Sequence, residues 1–279
     1  MDEHRRQEIA IDLFIETVRR CYDYDYSDYA KASLRRRVID LSKSQGFDAV
    51  EDMIPYLIRH PEFVSPVINH LSVPVTEMYR DPLFFKSLKQ RVFPILKTYP
   101  MISLWIAGCA TGEEVWSVAI MLEEAGLLSR TRIYATDINS LAIEAAKKGV
   151  IEIEKLKTYS KAYFDSGGEK SLLDYFNVAY GYGRISQHIS SHVEFETHNL
   201  VSDGAFCQPQ IIFCRNVFIY FSCRLQERVI KLFYQALGNS GFLCISPQES
   251  LDCFEQKKHF DALDRSAGLY QKVNDERHA

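Results

Sequence analysis

The spacing of apolar residues along the chain changes near residue 75. Before that point apolar side chains recur at helical intervals, and continuous apolar runs are few. Two stripes show this spacing, formed by Ile9, Leu13 and Val18 and by Leu34, Val38 and Leu41. The stretch 26–28 offers an N-cap for the second of these helices. We therefore predict an N-terminal all-helical domain with its linker over residues 1–74.

From residue 100 onward, short apolar runs alternate with helical patterns. The predicted strands are 102–107, 132–136, 192–196, 210–214 and 241–246. The predicted helices are 113–124, 140–148 and 223–237. Strands that alternate with helices are typical of βαβ units with right-handed crossovers. We therefore predict an α/β domain over residues 75–279 with a doubly wound, mostly parallel sheet.

The stretch 160–191 interrupts this alternation. It is rich in glycine, tyrosine and serine and lacks a long apolar run. We predict that it is an insertion in the α/β domain and folds as a small antiparallel β-subdomain.

The first strand of the α/β domain leads into a glycine turn. Gly108 follows the apolar run, Gly112 comes next, and a helical pattern starts directly at Glu113. This order aims a helix N-terminus at the space above the strand end, where α/β sheets hold nucleotide-like cofactors. The spacing is not that of the GxGxxG fingerprint, and a carboxylate at Glu113 would repel a pyrophosphate, so a nicotinamide cofactor is disfavoured. The alternative is an ordinary turn, in which Glu113 only complements the helix dipole.

Polar residues follow the later predicted strands, at the edge where such sheets bind ligands. Asp137 ends the second strand, where an acidic residue accepts hydrogen bonds from ribose hydroxyls. Its alternative role is to cap the helix that starts near Ser140. Asn199 and Asn216 follow the next two strands, and each is either a ligand contact or a turn residue. Arg215 lies at the end of a buried strand, where it needs a partner.

Composition narrows the class of protein. A net charge of -4 argues against a strongly basic nucleic-acid binder. The charged first residues lack the apolar region of a secretory signal, and no apolar run approaches the ~18 residues of a membrane span. Seven scattered cysteines, including Cys253, form no CxxC pair. We therefore expect buried, reduced thiols in a cytoplasmic protein, with no metal site, no nucleic-acid partner and no membrane insertion.

Two charged segments remain after this assignment. Lys31, Arg35, Arg36 and Arg37 spread around the second predicted helix. They form either a solvated face or a docking surface for an acidic partner. Residues 76–82 lie between the N-terminal helices and the first predicted strand and, taken alone, are a capped helix start.

Six sequence blocks in this order and spacing resemble one family over nearly the whole chain. The blocks are TEMYRDPLFF, WIAGCATGEEVWSVAI, ATDI, HNL, FCRNVFIYF and QESL. The family is that of the CheR chemotaxis receptor methyltransferases. Its members use S-adenosylmethionine to convert receptor glutamates into γ-methyl esters, leaving S-adenosylhomocysteine. The resemblance implies a class I methyltransferase fold, this cofactor and the cytoplasmic domain of a chemotaxis receptor as partner.

The resemblance also implies roles for individual residues. The cofactor contacts would be Thr76, Arg80, Gly108, Glu113, Asp137, Asn199, Leu200, Arg215, Asn216 and Val217. Arg80 would hold the cofactor carboxylate or the incoming glutamate, and Tyr220 would orient the acceptor unless it belongs to the core. The helix that carries Lys31, Arg35, Arg36 and Arg37 resembles the basic receptor-facing helix of the family.

The chain departs from the family pattern at three places. Pro74 stands where the family often has asparagine, GEEVWS replaces GEEPYS, and residues 246–249 read SPQE where the family has GHSE. The insertion at 160–191 looks longer than in members that bind a receptor pentapeptide, so we predict a pentapeptide-independent enzyme. Because nothing in the sequence demands an oligomer, we also predict a monomer. The alternative function is a signalling or adaptor protein that binds S-adenosylmethionine or S-adenosylhomocysteine with little or no methyl transfer.

Overall fold

A computed structural model describes residues 2–252 and 254–273 of the chain. The described residues form two compact units. We call the first the helical unit; it comprises the residues up to Val73 together with Phe218–Arg228. We call the second the sheet unit; it comprises Pro74–Val217 and the residues from Val229 onward. The segment 218–228 therefore belongs to the helical unit, although the sequence placed it in the α/β domain.

The helical unit is built from helices whose apolar stripes meet in one core. Its helices are α1 (Glu3–Tyr22), α2 (Lys31–Ser44), α3 (Val50–Arg59) and α4 (Val64–Leu71). The core includes Phe14, Leu34, Met53 and Val67, and each of these side chains is buried. Burial of such side chains contributes roughly 1.5–3 kcal/mol each, which stabilises short helices that would not persist alone.

The buried face of α1 differs from the predicted one. Ile9 is 43% exposed and Leu13 is 53% exposed, so the predicted stripe was wrong at both positions. The buried residues are Ala10, Ile11, Phe14, Ile15 and Val18. From Ile11 onward these positions follow the i, i+3, i+4, i+7 spacing, which places a continuous apolar face toward the core.

The start of α2 also differs from the prediction. The helix begins at Lys31 after Ala30, so the stretch 26–28 does not cap it. That region instead pairs with the segment 218–228. The Ala30 N–H donates to the Tyr220 carbonyl (2.9 Å), and the Ser222 N–H donates to the Asp28 carbonyl (2.7 Å). We call residues 215–217 the RNV block. These backbone bonds form the local link between α2 and the segment that follows this block.

The sheet unit contains the remaining elements. Its helices are α5 (Pro82–Arg91), α6 (Phe93–Leu96), α7 (Glu113–Glu124), α8 (Ser140–Lys148), α9 (Ile153–Asp165), α10 (Gln187–Ser190) and all but the first residues of α11 (Cys223–Ala236). Its strands are β1 (Ile102–Ala107), β2 (Thr131–Asp137), β3 (Val150–Glu152), β4 (Phe176–Ala179), β5 (Tyr182–Ile185), β6 (Val193–Thr197), β7 (Ile211–Phe213), β8 (Phe242–Cys244), β9 (Phe260–Asp264) and β10 (Leu269–Lys272).

Seven strands of the described residues form a mostly parallel sheet in the order β6-β2-β1-β7-β8-β10-β9. The pairs among β6, β2, β1, β7 and β8 are parallel, whereas β10 runs antiparallel to both of its neighbours. This confirms the predicted fold class. The sequence did not predict β9 and β10, because both strands are short and polar residues interrupt their apolar residues, which gives a weak apolar signal.

A three-stranded antiparallel sheet in the order β3-β5-β4 lies within residues 150–185. It begins at Val150, before the start that the sequence predicted for the insertion. Residues 160–165 are not part of it, because they continue α9. Leu156 of α9 lies close above Gly183 of β5, where an added Cβ would come within 2.6 Å of the leucine side chain. The helix is therefore packed tightly onto this small sheet.

The centre of the large sheet positions the glycine turn. β1 has almost every residue buried, and α7 is buried from Glu114 to Leu122. Apolar runs of this kind are typical of strands that are covered on both faces. Because strand and helix are both held in the core, the turn between them has little freedom to move.

The structure bears on two predictions from composition, namely the state of the cysteines and the presence of membrane-spanning helices. Of the seven cysteines, six lie among the described residues and all six are free thiols. Cys109, Cys214 and Cys244 are buried as predicted, but Cys21 and Cys223 are exposed, so the predicted burial was wrong for these two. Cys253 lies outside the described residues. No helix in the two described stretches is long and apolar enough to cross a membrane.

Candidate active site

The turn between β1 and α7 is held to the end of β2 by its own backbone. Gly108 has φ +80° and Gly112 has φ +94°, a conformation that glycine adopts without strain. The N–H groups of Gly108 and Cys109 both donate to the Thr136 carbonyl, at 2.7 and 2.9 Å. The turn therefore lies across the carboxyl ends of β1 and β2, where open α/β sheets bind ligands.

Asp137 organises this edge of the sheet. One carboxylate oxygen accepts from the Ala110 N–H and the other from the Asn139 N–H, both at 2.9 Å. Burial raises the pKa of Asp137, and these backbone bonds oppose the rise. Asn139 caps α8, because its side-chain oxygen accepts from the first N–H groups of that helix. The helix-cap alternative for Asp137 is therefore wrong, and its remaining lone pairs can accept from ribose hydroxyls.

Glu113 is half-buried at the first position of α7. The Thr111 hydroxyl donates to its carboxylate at 2.6 Å. Burial raises the pKa of Glu113, while the positive charge of Lys155 lowers it. Two carboxylates, Glu113 and Asp137, thus flank the glycine turn. This pair of hydrogen-bond acceptors suits a ligand with cationic and hydroxyl groups better than one with a pyrophosphate.

Val217 and Asn216 form the opposite side of the turn. A Cβ added to Gly108 would lie 2.5 Å from a methyl carbon of Val217, so only glycine fits there. Asn216 has φ +59° and donates from its side chain to the Ser246 hydroxyl at 3.1 Å. Glu249 accepts from the backbone N–H groups of Asn216 (3.3 Å) and Ser246 (2.8 Å). The SPQE loop therefore fixes the backbone of the RNV block.

Asn199 and Leu200 follow β6 in a tight turn. The Asn199 side-chain oxygen accepts from the Val201 N–H at 2.9 Å, and the Asn199 N–H donates to Asp203 at 2.8 Å. The turn-residue interpretation thus accounts for one side-chain atom of Asn199. Leu200 is buried. A cofactor role for both residues stays a prediction.

Arg215 has no exposed side-chain surface. Its guanidinium donates to Glu114 (3.0 Å), to Asp81 (2.7 Å) and to the Arg80 carbonyl (3.2 Å). The partner that a buried arginine requires is therefore a pair of acidic residues. The sequence reasoning missed the roles of Glu114 and Asp81. The need to neutralise a buried arginine was a signal for them, but it could not say which carboxylates meet it.

Thr76 and Arg80 lie in the segment that leads into α5, and both are partly exposed. Between them, the Tyr79 N–H donates to the Ser117 hydroxyl of α7 at 3.0 Å, which fixes the backbone beside Arg80. The cofactor contacts predicted for Thr76 and Arg80 stay predictions.

The remaining predicted site residues belong to the helical unit. The Tyr220 ring lies under the Arg37 guanidinium, with 4.7 Å between Cζ and the ring centroid. Arg37 is only 8% exposed and donates to the Leu71 carbonyl and the Ser33 hydroxyl. Arg37 therefore faces inward and is not available to a docked partner. Lys31 and Arg36 are exposed, and Arg35 pairs with Glu8 at 2.8 Å.

Comparisons with known proteins cover both units. The family model described as CheR methyltransferase, SAM binding domain, matches residues 74–268, and the model of the CheR all-alpha domain matches residues 9–72. The chain is 36% identical to the putative methyltransferase Cher3 of Pseudomonas putida, over 98% of this chain and 100% of the relative. It is 26% identical to chemotaxis protein methyltransferase 1 of Pseudomonas aeruginosa, over 85% of this chain and 88% of that protein.

Fold and site together define a class I methyltransferase that binds S-adenosylmethionine. The chain belongs to the CheR methyltransferase family. The residues around the glycine turn fit the cofactor. Glu113 offers a carboxylate for its ammonium group, and Asp137 offers free lone pairs for its ribose.

Replacing Glu113 with glutamine is expected to stabilise the cofactor-free protein and to weaken S-adenosylhomocysteine binding by about tenfold or more. Below the unfolded-state pKa of about 4.3, both states carry the proton and wild type and variant should be alike. As the pH rises through the raised pKa of folded Glu113, wild type alone loses free energy of unfolding. Thermal unfolding between pH 4 and 8, with calorimetric titration of S-adenosylhomocysteine, checks both effects.

The matched control is Glu123→Gln, on the same helix, where the carboxylate pairs with His188 at the surface. That variant should leave the affinity for S-adenosylhomocysteine unchanged. An unchanged affinity in Glu113→Gln would remove Glu113 from the cofactor site.

Proposed function

We propose that this protein methylates glutamate side chains of chemotaxis receptors, giving γ-methyl esters in sensory adaptation. The observation that carries the proposal is the match of both family domains in a single chain, the cofactor domain and the all-alpha domain. Several relatives along most of this chain are named chemotaxis protein methyltransferases. We further propose that the enzyme acts in the cytoplasm as a monomer and does not require a receptor pentapeptide.

The chemistry requires orientation rather than a strong base. A free glutamate has a pKa near 4.3, so the acceptor is already ionised at neutral pH. When bound, S-adenosylmethionine supplies the activated methyl group. The protein has to bring the acceptor carboxylate to roughly 3 Å from that carbon and in line with the bond that breaks. A site that excludes water favours this step, because charge is neutralised as it proceeds.

Arg80 is the proposed residue for holding a carboxylate, whether of the cofactor or of the acceptor. An arginine fork pairs with a carboxylate through two parallel hydrogen bonds, which fixes direction as well as distance. Tyr220 keeps its proposed role in orienting the acceptor. Its position within the helical unit is set by the bond from Ala30 and by the Arg37 guanidinium.

A direct assay tests the proposal. Purified protein, tritiated S-adenosylmethionine and receptor signalling domains should give base-labile methyl label on the receptor. Label that survives base would point to a different acceptor group. Binding of S-adenosylhomocysteine without transfer to any cognate receptor would favour the alternative, a cofactor-binding adaptor of the same fold.

The exposed cations of α2 are the proposed receptor surface. Arg36→Glu is expected to raise the receptor concentration needed for half-maximal methylation by about tenfold, because it replaces attraction to acidic helices with repulsion. The affinity for S-adenosylhomocysteine should not change, and the effect should shrink at high salt. Initial rates across receptor concentrations at two ionic strengths measure it.

The control is Arg59→Glu, an exposed arginine at the end of α3 in the same unit. It makes the same change in charge away from α2. Equal losses in the two variants would show only a general charge effect and would contradict a specific surface on α2.

A further inference from the structure

The segment that carries Arg80 has an unusual backbone. Tyr79 has φ +55° and Asp81 has φ +61°, so both neighbours of Arg80 adopt the left-handed conformation. Residues other than glycine seldom adopt it, and it persists only where surrounding contacts over-determine it. Contacts at both sides of Arg80 must therefore hold this segment in place.

The first contact lies before Arg80. The Tyr79 N–H donates to the Ser117 hydroxyl at 3.0 Å, and that hydroxyl in turn donates to the Glu113 carbonyl at 2.7 Å. The Tyr79 ring is buried and lies 5.2 Å from the Tyr163 ring. The backbone on the N-terminal side of Arg80 is thus fixed to α7, close to Glu113.

The second contact lies after Arg80 and is made by Arg215. One guanidinium nitrogen donates to both the Arg80 carbonyl (3.2 Å) and the Asp81 carboxylate (2.7 Å), and another donates to Glu114 (3.0 Å). The Arg215 guanidinium also stacks over Phe84 with 4.0 Å between Cζ and the ring centroid. We call the set Arg215, Glu114 and Asp81 the arginine clamp.

The buried charge of the clamp suits positioning. Removing either carboxylate would leave the buried Arg215 charge less compensated, so both ion pairs favour the observed geometry. The side chain of Arg215 has no exposed surface, and its two terminal nitrogens bond to the segment and to Glu114 of α7, whereas its buried Nε has no hydrogen-bond partner among the described residues. The bonds of both terminal nitrogens thus hold the segment beside α7.

We propose that Arg215 is a positioning residue, which acts through Asp81 and the Arg80 carbonyl to hold the Arg80 side chain in its cofactor-binding orientation. The family resemblance predicted a cofactor contact at this position, and the clamp gives the side chain a different role. The proposal rests on the function proposed above for Arg80. It states that the affinity for the cofactor depends on the clamp only as long as Arg80 is present.

A double-mutant cycle on the full chain tests it, with calorimetric titration of S-adenosylhomocysteine as the readout. Asp81→Asn and Arg215→Lys are each expected to weaken binding by about 10- to 100-fold, as a displacement of about 1 Å in a site can do. In an Arg80→Ala background, adding Asp81→Asn should change the affinity less than about twofold, since coupled residues are non-additive. Thermal unfolding is recorded for every variant.

The control is Arg132→Lys, a surface arginine of β2 that pairs with Glu194 of β6. It should alter neither affinity nor thermal stability. Should Asp81→Asn weaken binding equally with and without the Arg80 side chain, the clamp would be only structural and the proposal would be overturned. An unchanged affinity in both clamp variants would overturn it as well.

The cycle does not depend on receptor methylation. A wild-type protein that binds S-adenosylhomocysteine but labels no receptor would refute the proposed function. The double-mutant cycle would still test the clamp, because its readout is the affinity for S-adenosylhomocysteine. A wild-type protein with full receptor methylation and an additive cycle would refute the clamp alone.

Discussion

Asp137→Asn is expected to weaken S-adenosylhomocysteine binding more than any other single substitution at the polar edge of the sheet. The carboxylate ties Ala110 of the glycine turn to Asn139 through one oxygen each. An asparagine amide has only one oxygen, so its NH2 group would face an N–H donor on one side. Loss of two charge-assisted bonds to the ribose amounts to about 3 kcal/mol, or about 100-fold in affinity.

Calorimetric titration measures this loss, and Asp264→Asn is the matched control. Asp264 also accepts a backbone N–H, that of Ala267, and a hydroxyl from Ser87, but it lies at the end of β9. Its replacement should lower the unfolding temperature and leave the affinity for S-adenosylhomocysteine intact. If both variants bound equally well, Asp137 would be a structural residue of the turn and nothing more.

Gly108→Ala is expected to lower the unfolding temperature by about 10 °C, from a cost of roughly 2–5 kcal/mol. Two effects combine at this position. The backbone has φ +80°, which strains any L-residue, and the new Cβ would lie 2.5 Å from a Val217 methyl carbon. The displaced turn should also lose most of its affinity for S-adenosylhomocysteine. Differential scanning calorimetry and titration measure the two losses.

Two further variants separate backbone strain from the clash. Gly181 has φ +83° and no heavy atom near its virtual Cβ, so Gly181→Ala carries the strain alone and should cost about 1–2 kcal/mol. Val217→Ala added to Gly108→Ala should remove the clash and recover the difference. A Gly108→Ala variant no less stable than Gly181→Ala would show that Val217 moves aside freely, contrary to a rigid wall at this side of the turn.

The predictions from sequence were most accurate where one physical signal was strong. β1 and α7 have the predicted bounds, because an apolar run ends at a glycine and a helical period begins directly after the next one. The predictions were least accurate where the apolar pattern was weak or allowed more than one interpretation. β9 and β10 are short and interrupted by polar residues, and α1 has apolar residues on two stripes. Only packing decides which stripe of such a helix is buried.

The residues of the site likewise include some that were predictable from the sequence and some that were not. Asp137 and Glu113 were predictable, since their places follow from where a strand ends and a helix begins. The partners of Arg215 were not, because Glu114 is 101 positions and Asp81 is 134 positions distant in the chain. Arg37 was assigned to the docking surface together with Arg36. A run of three arginines on one helix does not reveal that one of them points into the core.

By itself, the sequence determined the alternation of strands and helices at the centre of the α/β domain, the glycine turn, the acidic residues beside it and the family that the chain resembles. The elements and the turn follow from local apolar periodicity and turn chemistry, and the family follows from the six sequence blocks that resemble it. Tertiary structure alone decided that Arg215 clamps the segment around Arg80, that Arg37 lies inward against Tyr220, and that residues 218–228 join the helical unit. A buried charge or a strained backbone is stable only beside partners that the folded chain brings from far along its length.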